Sequence, residues 1–173
     1  RDILDSTGMN RHSLYKNYGD KNGLYRAILN FYKSHFFAEI YNLLERNPKG
    51  LETIRCFFTD LLSSTEPIKC VMVRTIAEKE FMENDIYEMS KAHFNRIKKA
   101  IYKNLEIAKE KKEIAFDEDL KSLSNLVLGA FQGLPVSTSM LGNKKVKFRC
   151  KRKWAFEVEP PPFGMATKGS QSR

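Results

Sequence analysis

The stretch Ile3-Leu4-Asp5-Ser6-Thr7-Gly8-Met9-Asn10-Arg11-His12-Ser13-Leu14-Tyr15-Lys16-Asn17-Tyr18-Gly19-Asp20-Lys21-Asn22-Gly23-Leu24 decides the reading of this chain. Its punctuation is that of short helices meeting at a tight angle. Thr7-Gly8 ends a first short helix, about Asp2 to Ser6, and Gly8 sits where such a turn commonly needs a positive φ. Asn10 is placed to N-cap a second helix over Arg11 to Asn17, with Gly19 just past its end. Leu4, Met9 and Leu14 are spaced to close a small core beneath the two helices. The exposed side of the second helix then presents Arg11, His12, Lys16 and Asn17. These donors and donor/acceptors have the reach for base edges in a major groove roughly 12 Å wide. Ser13, Tyr15, Tyr18 and Lys21 suit phosphates instead, which fix register without reading sequence. Lys21 also falls in the first turn of the next helix, where free N–H groups favour an anion.

Outward from that stretch, helix follows helix up to about Leu141, and no segment keeps a strand's alternation. Asp20 caps a long third helix, in which Leu24, Ile28, Phe31/Tyr32, Phe36, Ile40 and Leu43/Leu44 recur at helical spacing until Asn47-Pro48-Lys49-Gly50 stops it. A fourth helix covers Leu51 to about Ser63, with Ile54, Phe57, Phe58, Leu61 and Leu62 inward, and a short fifth covers Cys70 to Phe81. Ile86, Met89, His93, Phe94, Ile97, Ile101, Leu105 and Ala108 form a long amphipathic stripe. Asp117 caps a last helix through Leu120, Leu123, Leu126, Val127, Ala130, Phe131 and Leu134, which Pro135 ends. That helix is apolar around more than half its circumference, so the reading expects it to be buried by more than its own domain. The division is a helix-turn-helix element over 1–30, a helical body over 31–142 and a basic, disordered tail over 143–173.

The net charge of +9 points toward nucleic acid, but its location weakens the argument. From Lys144 onward nine Lys/Arg stand against two Glu, whereas residues 1–33 hold six basic and three acidic side chains. Cys56, Cys70 and Cys150 form no CxxC and no zinc spacing with His12, His35 or His93, so no metal and no cofactor is expected. Free thiols imply a reducing cytoplasm, with one disulfide as the alternative. No apolar run reaches the roughly 18 residues of a membrane span, and no signal peptide is visible.

The quoted stretch resembles the DNA-binding signature of the TetR family. The resemblance rests on the register of Gly8, Ser13-Leu14-Tyr15, Tyr18, Lys21 and Leu24, with Asn17-Tyr18 where the family usually has His-Phe. In that family the tyrosine matching Tyr15 and the lysine matching Lys21 touch the DNA backbone. Lys69-Cys70-Val71-Met72-Val73 is similar to a Gly-Cys-Leu opening in one branch, and Leu128-Gly129-Ala130-Phe131-Gln132-Gly133-Leu134 also fits that branch. The resemblance implies an all-α regulator on double-stranded operator DNA, a homodimer built largely from the last two helices. It implies release from DNA when a small-molecule effector binds inside the body. The family's first helix would precede Arg1, so the reading expects a chain cut short there. Its final helix would occupy the region after Gly142, where this sequence has the basic, Pro-rich tail.

Phe57, Phe58, Leu61, Phe81, Met82, Tyr87, His93, Phe94 and Phe131 are the candidate lining of an effector pocket, with plain core as the alternative for each. His93 is the body residue whose charge would matter near neutral pH. Cys70, near a helix start, has a redox-sensor reading beside that of a small buried residue. The basic tail, with Phe148 and Trp154 interleaved, reads as a nonspecific binder of nucleic acid or of an anionic membrane surface, or as a solvated tail. No nucleophile with its base, carboxylate pair or phosphate loop assembles from local spacing, so no enzyme is expected. The competing readings are a degenerate regulator without DNA binding and a small helical enzyme.

Overall fold

The computed structural model describes Ser6, Gly8, residues 10–63 and residues 68–141, for Leu141 the backbone alone. The expected first helix apart from Ser6, its core residues Leu4 and Met9, and the basic tail lie outside the described residues. Within them the fold is all-α, without a strand. In chain order the helices are α1 (Arg11–Tyr18), α2 (Lys21–His35), α3 (Ala38–Glu45), α4 (Leu51–Ser63), α5 (Val71–Ala77), a 3-10 turn (Lys79–Phe81), α6 (Asn84–Glu110) and α7 (Leu120–Leu141).

α6 is the axis of the bundle: α2, α3, α4, α5 and α7 all pack against it. Its buried face carries Ile86, His93, Phe94, Ile97, Ile101, Leu105 and Ala108, the stripe the sequence predicts. Asn104 belongs to that face as well. Its amide Nδ2 donates to the carbonyls of Leu44 (2.9 Å) and Ala100 (3.0 Å), tying α3 to α6 from inside the core. Leu29, Leu44, Phe57 and Met72 meet this face from the other helices, and each is essentially without exposure.

The long third helix of the sequence reading is two helices. Phe36 and Phe37 both donate their N–H groups to the Tyr32 carbonyl, at 3.0 and 3.3 Å, and the wider ring bends the chain without Pro or Gly. The bend shifts the buried face. Leu29, Phe37, Tyr41 and Leu44 are inside, whereas Ile28 and Phe36 from the predicted stripe are exposed.

α7 departs from expectation at both ends. Asp119, not Asp117, takes the first-turn groups, accepting from Lys121 N–H (2.9 Å) and from Ser122 Oγ–H (2.6 Å). At the other end the helix runs through Pro135 to Leu141. Thr138, buried, donates to the Leu134 carbonyl and accepts from the Ile68 N–H at 3.1 Å, so tertiary contact holds the turn that the proline weakens. The fifth helix also ends earlier than predicted, at Ala77, and Lys79–Phe81 form a 3-10 turn.

Candidate functional site

α1 is defined at both ends by local chemistry. The side chain of Asn10 accepts from Ser13 N–H at 2.7 Å, as its position predicts. Gly19 closes the helix with φ 76° and donates to the Tyr15 carbonyl at 2.8 Å, and Gly8 has φ 67°. Asp20 then caps α2 by accepting from Gly23 N–H at 2.7 Å. That carboxylate already occupies part of the α2 N-terminus. A phosphate near Lys21 would therefore be met by the ammonium and by the first-turn N–H groups that Asp20 leaves.

No residue of α1 is buried. Arg11, His12, Tyr15, Lys16 and Asn17 are exposed and Lys21, at the start of α2, is exposed too; Ser13, Leu14 and Tyr18 are half-buried. All eight predicted DNA-contacting residues thus fall on one short helix and the first residue after its turn. Polar contacts hold α2 against the body. Tyr25 Oη lies 3.0 Å from Thr75 Oγ1, and Tyr32 donates to the Lys69 carbonyl. Arg26 reaches both Asp85 (Nε to Oδ2, 2.6 Å) and Glu83, and Asn22 donates to Glu83 as well. The Arg26 bond holds the Asp85 carboxyl below its ordinary range. α1 is therefore carried on a helix clamped to α5 and to the beginning of α6.

Five of the nine candidate effector residues form one chain of rings. His93 meets Phe94 at 5.0 Å between centroids, Phe94 meets Phe131 at 6.3 Å, Phe131 meets Phe57 at 5.1 Å, and Phe57 meets Phe58 at 5.2 Å. Leu61 packs on the same cluster. Two candidates stand apart: Phe81 is 84% exposed, and Tyr87, half-buried, lies under the ammonium groups of Lys79 and Lys91. Phe81 ends the 3-10 turn and points outward, and Tyr87 stands near the start of α6.

Sequence reasoning missed Phe37 and Tyr41. Phe37 lies 4.1 Å from His93 edge-on, and the Tyr41 hydroxyl hydrogen-bonds His93 Nδ1. Outside Tyr41, the Arg96 guanidinium stacks on its ring at 3.7 Å and grips Glu45 through two bonds, at 2.7 and 2.6 Å. Burial lowers the His93 imidazole to about 4, helped by the positive charges of Lys33 and Arg96. Burial also pushes Tyr41 up to about 12, against the pull of Arg96. The spacing Phe37…Tyr41 is helical, but the bend at 36–37 hides which face it occupies.

Two surface cavities lie elsewhere. One of about 240 Å³ is bounded by Asn42, Arg46, Lys49, Thr53 and Cys56, and one of about 680 Å³ by Glu45, Arg96, Lys99, Tyr102 and Lys103. None of the nine candidates lines either. Cys70 is a free thiol. Burial raises the Cys70 thiol, outweighing bonds from the Val73 and Met72 backbone, which argues against the reactive thiolate of a redox sensor. Among the described residues no cluster of His, Cys, Asp and Glu suits a metal, and no helix is long and apolar enough to cross a membrane.

No protein-family profile, curated protein or solved structure matches the chain.

Proposed function

We propose that this chain is a TetR-like, DNA-binding transcription regulator. It acts as a repressor in the cytoplasm, binds double-stranded operator DNA as a homodimer, and is released by a small-molecule effector. The observation that carries the reading is α1. It is a short helix capped by Asn10, closed at Gly19, and presenting Arg11, His12, Lys16 and Asn17 to solvent beside Tyr15 and Lys21. A helix that buries none of its own residues contributes little to a core, and its residue choice suits a groove. The clamped α2 supports the effector half of the reading, because any shift of α5 or α6 would move α1 with it.

The test is a fluorescence-anisotropy titration against the DNA upstream of the chain's own gene and against random duplex. Lys16→Ala relaxes the preference between the two. Lys21→Ala weakens both alike and flattens the salt slope by about one unit. Equal affinity for the two duplexes in the unaltered protein would sink the proposal.

A further inference from the structure

His93 is 2% exposed, its Nδ1 is taken by the Tyr41 hydroxyl, and its Nε2 has no partner. A buried polar atom without a partner carries a desolvation penalty, so its function needs an account. Counting orphans places the proton. If Tyr41 donates to Nδ1, the hydrogen sits on Nε2 and one donor is left unmatched. If Nδ1 donates instead, both the phenolic hydrogen and the Nε2 lone pair are left unmatched. The first arrangement leaves fewer, and it makes Nε2–H a donor in want of an acceptor.

The surroundings restrict what that acceptor can be. A water needs about two to four polar partners, and the groups closest around His93 are the rings of Phe37, Phe94 and Tyr41. The next polar side chain one turn back, Ser90, is already committed to Met72 Sδ at 3.4 Å. An anion would lack a buried counter-ion, since Arg96 is held by Glu45 and Lys33 is exposed. The positive charges of Arg96 and Lys33 nevertheless favour an electron-rich oxygen at this position.

We infer that His93 is the polar anchor of the effector site, and that the effector is a neutral, flat aromatic molecule whose carbonyl-type oxygen accepts from His93 Nε2–H. The body of the ligand lies beside the rings of Phe37, Phe94 and Phe131 and replaces the packing of Phe94 on Phe131. Tyr41 acts as a positioning residue: it fixes the tautomer, and Arg96 with Glu45 fixes Tyr41. The inference rests on the effector-responsive reading above and names the chemistry of that site.

The experiment uses two probes of nearly equal shape, 2-acetylnaphthalene, which has the acceptor, and 2-ethylnaphthalene, which lacks it. Calorimetric titration of the full chain is expected to show roughly tenfold tighter binding of the ketone, the size of one buried hydrogen bond. His93→Phe removes that preference and keeps the binding of 2-ethylnaphthalene, whereas His93→Gln, which retains a donor, keeps part of the preference. Circular dichroism checks that each variant folds. Should His93→Phe unfold, the ¹⁵N resonance of Nε2 in the unaltered protein decides, because the ketone must shift it and the hydrocarbon must not. Equal binding of the two probes, binding of neither, or an unmoved Nε2 resonance overturns the inference. DNA titrations run alongside separate the two readings. Operator preference without ketone selectivity removes the site alone, and ketone selectivity without operator preference removes the regulator alone.

Discussion

A methyl group added at Gly23 would fall inside the Tyr18 carbonyl, so the crossing of α1 over the start of α2 exists only because that position has no side chain. Gly23→Ala must push α1 off α2 while the body, built around α6, keeps its contacts. The expected outcome is a loss of operator affinity of at least about tenfold with little change in the melting of the body, read by anisotropy and by circular dichroism. His93 sets a second expectation at this scale. Its folded value, about 4, lies below the ordinary 6.5 of an unfolded histidine, so between these values the unfolded chain binds the extra proton. Its contribution is complete above pH 6.5 and is lost as pH falls toward 4, by up to about 3 kcal/mol. Urea unfolding from pH 7 to pH 4 should show that slope, and His93→Gln should flatten it. Asn10, Gly19 and Asp20 were legible in the sequence because a cap bonds within four residues. Gly23 was not, because its reason is a carbonyl placed by a turn.

Among the elements, the end of α6 shows a local rule met by an unfavoured residue. Lys112 has φ 59°, its N–H bonds the Lys109 carbonyl, and the Glu113 N–H bonds the Ala108 carbonyl at 2.8 Å, the pattern that glycine usually completes. Lys112→Gly should therefore raise stability, by about 1 kcal/mol in urea unfolding, with no change in operator affinity. The same turn serves another helix. Glu113 accepts from Leu51 N–H at 2.8 Å and so caps α4 from 62 residues away, and Lys111 donates to the Lys49 carbonyl. The sequence marked where α4 begins but not what caps it, since the partner is distant. The bend at Phe36–Phe37 and the passage of α7 through Pro135 escaped the sequence for a related reason. Aromatic packing decides the first and the Ile68–Thr138 bond the second, and neither is a nearest-neighbour preference.

On the scale of the whole molecule, α7 carries an exposed apolar face. No charged residue stands between Ser122 and Leu141. Phe131 and Thr138 face the core, yet Leu126, Val136 and Met140 are 69, 60 and 78% exposed. An uncharged apolar helix face of this length fits burial against a second copy, the homodimer of the proposed function. Leu126→Glu combined with Met140→Glu should bring the mass in solution from twice 20.1 kDa to 20.1 kDa by light scattering. An unaltered protein that already runs as the single chain would remove the dimer from the proposal.

The sequence by itself determined that the described chain is helical, where α1 and α4 begin, and which stripe of α6 faces inward, because helical period and capping are local properties. It also placed the eight residues around α1 in one short register. Only the tertiary structure decided that the long third helix is bent and that Phe37 and Tyr41 meet His93. It alone separated Phe81 and Tyr87 from the ring cluster. Those outcomes depend on which helices α6 gathers around itself, and a pairing between distant segments leaves no trace in the spacing of either one.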